Sequence, residues 1–447
     1  MTRTRLAVAV LLLAGAAADY GAPALRAGAA RVKITPPLPV WLSGYAARTH
    51  PANAVLMDLY AKALAIDDGR GGRVVIVTTD LIGLPREVSD EAARRLGARY
   101  GVKRSQILFN SSHTHTGPMI WPNLKVMLDL SDQEQRRLAE YSSALIDNLV
   151  KVAGDALGAL TPARLSYGQG EAGFAINRRA ARLHDLGKDA PAPVDHSVPV
   201  LRVEREDGSL LAVLFGYGCH NTTLTAEFYE ISGDYAGFAQ AAVERAHPGA
   251  TALFLMLCGG DQNPNPRSSR ELAERYGEEL AGAVEEVMKR PMSRVKGPMR
   301  TAYESIELTF APHSRKQFEE EAESKDVFRQ RRARLMLADY DRGAPITSVA
   351  YPAQAIRLNG LTIVALGGEV VVDYALRLKR EFPGEPLVVA GYSNVVMSYI
   401  PSRRVLDEGG YEAEDAMIYY GLPGRYTEDV EERVIGAAHR VLKKVRR

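Results

Sequence analysis

The sequence predicts an α/β protein in which a mixed β-sheet core is covered by helices. Short apolar runs rich in Val, Ile, Leu and Phe alternate along the chain with capped, amphipathic stretches. Candidate functional side chains stand directly after several of those runs, the place where α/β folds bind ligands, outside the carboxyl ends of strands. The chain has 447 residues, 46% of them hydrophobic, enough to bury a large core.

The candidate strands are Val74 to Thr79, Gln106 to Ser112, Leu210 to Gly216, Ala252 to Leu257, Leu361 to Leu366 and Leu387 to Ala390. Near-continuous apolar runs of this length mark strands buried on both faces. Ser131 with Glu134 reads as a helix-starting capping box, and so does Ser268 with Glu271. Ser314 with Gln317 marks the start of a long charged helix reaching about Asp339. From Glu428 to Arg447 acids come first and bases last, the order that complements a helix dipole. One main domain, residues 27–447, is expected, with the C-terminal helix packed onto it.

A formal net charge of +2 gives no electrostatic case for a nucleic-acid partner. Arg3 and Arg5, the apolar run Leu6 to Leu13 and the small residues Ala14 to Ala18 follow the order of a secretory signal. Removal of residues 1–18 and a secreted or periplasmic location are therefore expected. The apolar run is short for a membrane span, and Asp, Lys or Arg interrupts every later one. Cys219 and Cys258 read as buried reduced thiols, with a disulfide as the alternative in an exported protein.

His113-Thr114-His115-Thr116-Gly117-Pro118 follows an apolar run. In extended backbone, side chains two apart share a face, so His113 and His115 are candidates for one site. Imidazole is a common zinc ligand, although two hydrogen-bonded loop histidines would give the same pattern. His220 follows a strand-like run among small residues; alone it fits a structural histidine as well as a ligand. Glu369, after Leu361 to Leu366 and Gly367-Gly368, needs a partner if buried: a metal, an arginine or helix amides. Asp261 has the same status, with turn capping as its simpler role. The other histidines lie in polar or terminal contexts and read as surface residues. Trp41, Trp121 and Met119 fit a pocket mouth or, in the favoured reading, ordinary core.

These motifs together resemble the catalytic region of neutral and alkaline non-lysosomal ceramidases. The resemblance runs from about Ala27 to Glu412. It is carried by Ala29 to Pro37, Gly44-Tyr45, Asp58 to Leu64, Thr79-Asp80-Leu81 and, most specifically, His113 to Pro118. Asn177-Arg178, Ser232-Gly233-Asp234, Gly260-Asp261, Gly368-Glu369 and Tyr392-Ser393-Asn394 through Tyr399 to Ser402 follow in order. The resemblance implies one catalytic Zn2+ per chain, with His113, His220, Glu369 and Tyr399 as ligands and Tyr392 as a weaker candidate for the tyrosine. It implies that His115 faces the substrate or the metal-bound water and assists proton transfer, and that Arg178 contacts the substrate. Asp261, Asn263 and Tyr392 are its further substrate-binding positions.

The implied reaction is hydrolysis of the amide bond of ceramide or a related N-acyl lipid by a metal-activated water, with transient contact to a membrane surface. Two departures bear on the substrate. Asn263 stands where the family's G-D-x-S-P-N pattern has serine, and the additional C-terminal β-sandwich domain of ceramidases is expected to be absent. A zinc hydrolase of a different small amide or ester is the alternative reading, because fold and metal do not fix the substrate. A non-catalytic binding protein on the same fold is the minor one.

Overall fold

The computed structural model describes residues 25–185 and 193–447, so the expected leader lies outside the described residues. The reason for the unbroken apolar runs is visible strand by strand. In Arg73–Thr79, Val74 and Ile76 enter one buried cluster while Val75 and Val77 enter another. In Thr251–Met256, Leu253 and Leu255 face inward to the first of these clusters, and Phe254 and Met256 face a helical layer. Ile363 and Val364 divide in the same way in Leu361–Leu366. Both faces are buried, so apolar residues dominate both.

These strands belong to one 12-stranded sheet. Its neighbours run Leu387–Ala390, Leu361–Leu366, Ser348–Asn359, Ser293–Thr309, Thr161–Glu171, Arg26–Lys33, Tyr60–Asp67, Arg73–Thr79 and Ile107–Ser111. Ser197–Arg205, Leu210–Tyr217 and Thr251–Met256 branch from Thr161–Glu171. The sheet doubles back, and its inner faces meet in a cluster that includes Leu64, Leu108, Leu201, Leu255, Ile356 and Ile363. Helices cover the outside: Arg86–Tyr100 and Asp132–Gly158 on one part, Asp234–Ala246 and Arg270–Lys289 on another, Val372–Glu381 and Val430–Arg446 on the third.

Three parallel strand pairs organise the site: Arg73–Thr79 with Ile107–Ser111, Leu210–Tyr217 with Thr251–Met256, and Leu361–Leu366 with Leu387–Ala390. Each is joined by a crossover containing a helix, respectively Arg86–Tyr100, Asp234–Ala246 and Val372–Glu381, as parallel pairing requires. Asn110 ties their carboxyl ends together. Its amide donates to Met256 O (3.1 Å) and Gly391 O (2.8 Å) and accepts from Met256 N (2.7 Å).

Several local expectations need correction. The helix Arg270–Lys289 is capped by Ser269, whose hydroxyl accepts from Leu272 N; Ser268 stands outside at φ 81. The long charged helix is two helices, Arg315–Ala322 and Val327–Asp341. Asp326 starts the second by accepting from Phe328 N and Arg329 N, so local side-chain bonds outcompete continuation of the first. The Ser131–Glu134 box forms as expected. Cys219 and Cys258 are buried free thiols. Met119 is buried and Trp41 and Trp121 pack against the same cluster, in line with the core reading. Among the described residues no helix is long and apolar enough to cross a membrane.

Candidate metal centre

His113 emerges from the Ile107–Ser111 strand and turns the chain at once, with φ 64. This corrects the extended geometry expected for the motif. His113 and His115 do converge, with their Nε2 atoms 3.1 Å apart, but through this left-handed residue and the pairing of Thr114 with Asn221. Histidine tolerates that conformation better than β-branched residues do. His220 follows Leu210–Tyr217, and Glu369 and Tyr399 are register partners in a short parallel pair.

The protonation pattern follows from the outer nitrogens. His113 Nδ1 lies 2.6 Å from Ile82 O, and His220 Nδ1 lies 2.8 Å from Gly259 O. A carbonyl only accepts, so both Nδ1 atoms carry hydrogen, the tautomer in which a ring's lone pair is at Nε2. Glu369 Oε2 lies 3.0 Å from one Nε2 and 3.2 Å from the other. That oxygen is buried and has no hydrogen-bond partner among the described residues. Tyr399 Oη lies 3.0 Å from His220 Nε2. Electron-rich atoms gathered in the interior without enough hydrogens between them call for a cation.

This donor set, two imidazoles with a carboxylate and a phenol oxygen, suits zinc. His113, His115 and His220 by themselves form a buried group, with ring nitrogens within 4.8 Å of one another, that can hold a metal ion. Burial, with the charge of Arg178, lowers the His220 pKa to about 4. Burial, with His113 and His220 nearby, also takes His115 well below its usual value.

His115 faces the cluster through Nε2, while its buried Nδ1 has no partner among the described residues. Its ring rests on Gly44, where a Cβ would come within 2.3 Å of Nδ1 and φ is +88°. Tyr392 packs its ring 4.5 Å from that of His113, and its buried hydroxyl also has no partner among the described residues. Asn263 accepts from Arg178 Nη1 at 3.1 Å. Asp261 was expected at the substrate, but its carboxylate is used inside the protein. It accepts from Asn177 Nδ2 (2.9 Å), Arg404 Nη2 (3.4 Å) and Val372 N (2.8 Å), the last capping the helix Val372–Glu381. Fully buried, it needs those donors to stay in place.

Two residues at the site were not found from the sequence. Tyr420 donates to Glu369 Oε1 at 2.5 Å, and Glu412 meets Arg178 Nε at 2.8 Å. Both lie in Gly410 to Gly421, a stretch without the apolar run that flagged the other positions.

Fold and site together define an α/β protein with a buried histidine cluster, able to hold a metal, at the carboxyl ends of parallel strands. The family model described as neutral/alkaline non-lysosomal ceramidase, N-terminal, matches residues 26–269, more than half of the chain, and the chain belongs to that family. The neutral ceramidase of Pseudomonas aeruginosa is 28% identical over 240 residues, 51% of this chain and 35% of that protein. That of Mycobacterium tuberculosis is 28% identical over 217 residues, 44% of this chain and 33% of that protein. The matched stretch thus spans about a third of these relatives' length. The crystal structure of the Pseudomonas aeruginosa enzyme superposes with a TM-score of 0.74 at 21% identity, covering 94% of this chain and 75% of that one. A ceramidase complexed with C2 gives 0.73 at 20% identity, covering 94% and 76%. These likenesses establish the fold.

Proposed function

We propose that the chain is an exported, zinc-dependent amidohydrolase that cleaves the amide bond of ceramide or a related N-acyl lipid. Family membership and the names of the relatives support the substrate class. The observation that carries the chemistry is the buried, unpaired Glu369 Oε2 facing the lone pairs of His113 and His220 beside Tyr399 Oη. His113, His220, Glu369 and Tyr399 would hold the ion, which supplies a Lewis acid for the amide carbonyl and lowers the pKa of a bound water to about 7.

The chain's own groups do the rest. Ile82 O and Gly259 O fix the tautomers of the two histidines, so that Nε2 faces inward. Tyr420 orients the Glu369 carboxylate through Oε1 and leaves Oε2 to face the cluster. His115 is neutral at pH 7, so Nε2 would take the proton given up by the attacking water and hand it to the departing amine. Arg3, Arg5 and the run Leu6 to Leu13 support export to the periplasm or beyond. Asn263, in place of the family serine, favours a second reading in which the same centre hydrolyses a different amide or ester.

The test is release of fatty acid from a fluorescent N-acyl sphingosine by the zinc-loaded chain, with Glu369→Gln as the comparison. Release that falls by roughly a hundredfold or more in the variant is expected, because the variant loses the anionic ligand. A wild type that holds zinc but releases nothing would exclude ceramide and leave the second reading.

A further inference from the structure

Arg178 opens the helix Arg178–Asp185, directly after the short strand Ala175–Asn177. The resemblance makes it a substrate contact, yet little of its donor capacity is left. Nε donates to Glu412 Oε1 at 2.8 Å and Nη1 to Asn263 Oδ1 at 3.1 Å. Nη2 donates to both Gly260 O (3.0 Å) and Tyr399 Oη (2.9 Å). Of the five N–H groups of a guanidinium, only one on Nη1 remains.

We propose that Glu412 is a positioning residue that clamps the Arg178 guanidinium against Tyr399 Oη, so that Arg178 serves the metal-ligand shell rather than the substrate. The inference rests on the zinc reading of the site. Glu412 is buried, with its side chain 4% exposed, and shared by two arginines: Oε1 takes Arg178 Nε, and Oε2 takes Arg179 Nη1 at 2.5 Å. Arg179 cannot drift, because Glu408 holds it at 2.8 Å and Gly409 O at 2.9 Å. Glu408 in turn holds Arg404, which also pairs with Asp373 at 2.7 Å.

The backbone that delivers Glu412 is equally particular. A π-type turn, Tyr411–Asp415, follows Gly409 and Gly410 at φ 71 and 85, values that side chains rarely adopt. The same turn places the Tyr411 ring 5.5 Å from that of Tyr399, and the Arg178 guanidinium 5.7 Å from the Tyr411 ring. Arg178 is therefore gripped by charge at Nε, by a carbonyl at Nη2 and by an aromatic face. With Glu412 neutralising its charge, it offers a substrate anion little attraction. Its remaining consequence is a fixed donor on the phenol oxygen, and outer partners of this kind orient a ligand and tune its affinity for the metal.

The test measures zinc affinity by competition with a chromogenic chelator, together with kcat and KM on the fluorescent N-acyl sphingosine. It compares the full wild-type chain with Glu412→Gln, Glu412→Asp and Arg178→Ala. Each variant is expected to lose about tenfold or more in zinc affinity and in kcat, with KM within about threefold of wild type. Zinc affinity and kcat within about twofold of wild type in both Glu412 variants would overturn the proposal. So would an Arg178→Ala variant altered in KM alone, the result a substrate anchor gives. Should Glu412→Gln fail to fold by circular dichroism, Glu412→Asp keeps the charge in the buried network and carries the test. A wild type that binds no zinc overturns clamp and zinc reading together. One that binds zinc without cleaving the lipid rejects the lipid reading alone, and the zinc arm still decides the clamp.

Discussion

Asp234 enters its helix at φ 50 with its carboxylate buried, accepting from Leu224 N at 2.8 Å and Tyr235 N at 2.6 Å. With Tyr235 Oη on Cys219 O and Ala236 N on Asn221 Oδ1, this helix start grips the loop that carries His220. Burial raises the Asp234 pKa from 3.8 to about 6 despite those donors. Folding therefore takes up a proton between these values. The contribution to stability is complete below pH 3.8 and is lost as pH rises through 6. Urea unfolding of wild type and Asp234→Asn across pH 4 to 7 is expected to show wild type declining relative to the variant by roughly 2 kcal/mol. A flat difference would contradict the assignment. The sequence displayed Ser232-Gly233-Asp234 only as a motif. The strain and burial that give it meaning come from Leu224 and Asn221, which pack on it from a separate turn.

At the scale of elements, the six strands that were legible are buried on both faces and form the three parallel pairs; Tyr60–Asp67 is as buried but was missed, its run carrying Lys62 and three alanines. The strands Ser293–Thr309 and Thr161–Glu171 were not legible, because charged and polar residues alternate along their exposed faces. The break between Arg315–Ala322 and Val327–Asp341 was hidden because both segments are charged and helix-prone. Those helices fill the connection between antiparallel neighbours, Ser293–Thr309 and Ser348–Asn359, and Arg331 Nη1 reaches Val126 O at 3.2 Å. Histidines at strand ends were found; the residue holding the strand ends together was not, since nothing marks a mid-strand Asn110 as a tie. Asn110→Ala strips a partner from Met256 N and from Met256 O, while Gly391 O keeps the Ser393 hydroxyl. It is expected to cost at least about 2 kcal/mol of stability in denaturant titrations, because each buried group left unpaired costs about 1–3 kcal/mol. A loss below about 0.5 kcal/mol would mean that water or relaxation replaces those bonds.

Among the described residues, helices outside and a doubled sheet inside leave a place where three sets of strand ends meet, and the candidate metal ligands gather there. Order along the chain revealed most of this centre, because His113, His220 and Glu369 each follow an apolar strand. Tyr399 entered only through resemblance, and its pairing with Glu369 is a property of the folded chain. A site that gathers lone pairs and a carboxylate binds its ion in the folded state and far less in the unfolded chain, so folding and metal binding are linked. Zinc at a thousandfold excess over its dissociation constant is expected to add about 4 kcal/mol to the unfolding free energy, and a chelator to remove it. Identical denaturation curves with and without chelator would contradict that linkage.

The most direct test is anomalous diffraction at the zinc edge from crystals of the zinc-loaded chain. The account predicts one peak, about 2.0–2.3 Å from His113 Nε2, His220 Nε2, Glu369 Oε2 and Tyr399 Oη. No peak at this centre, or a peak ligated by His115 with Glu369 and Tyr399 standing apart, would contradict it.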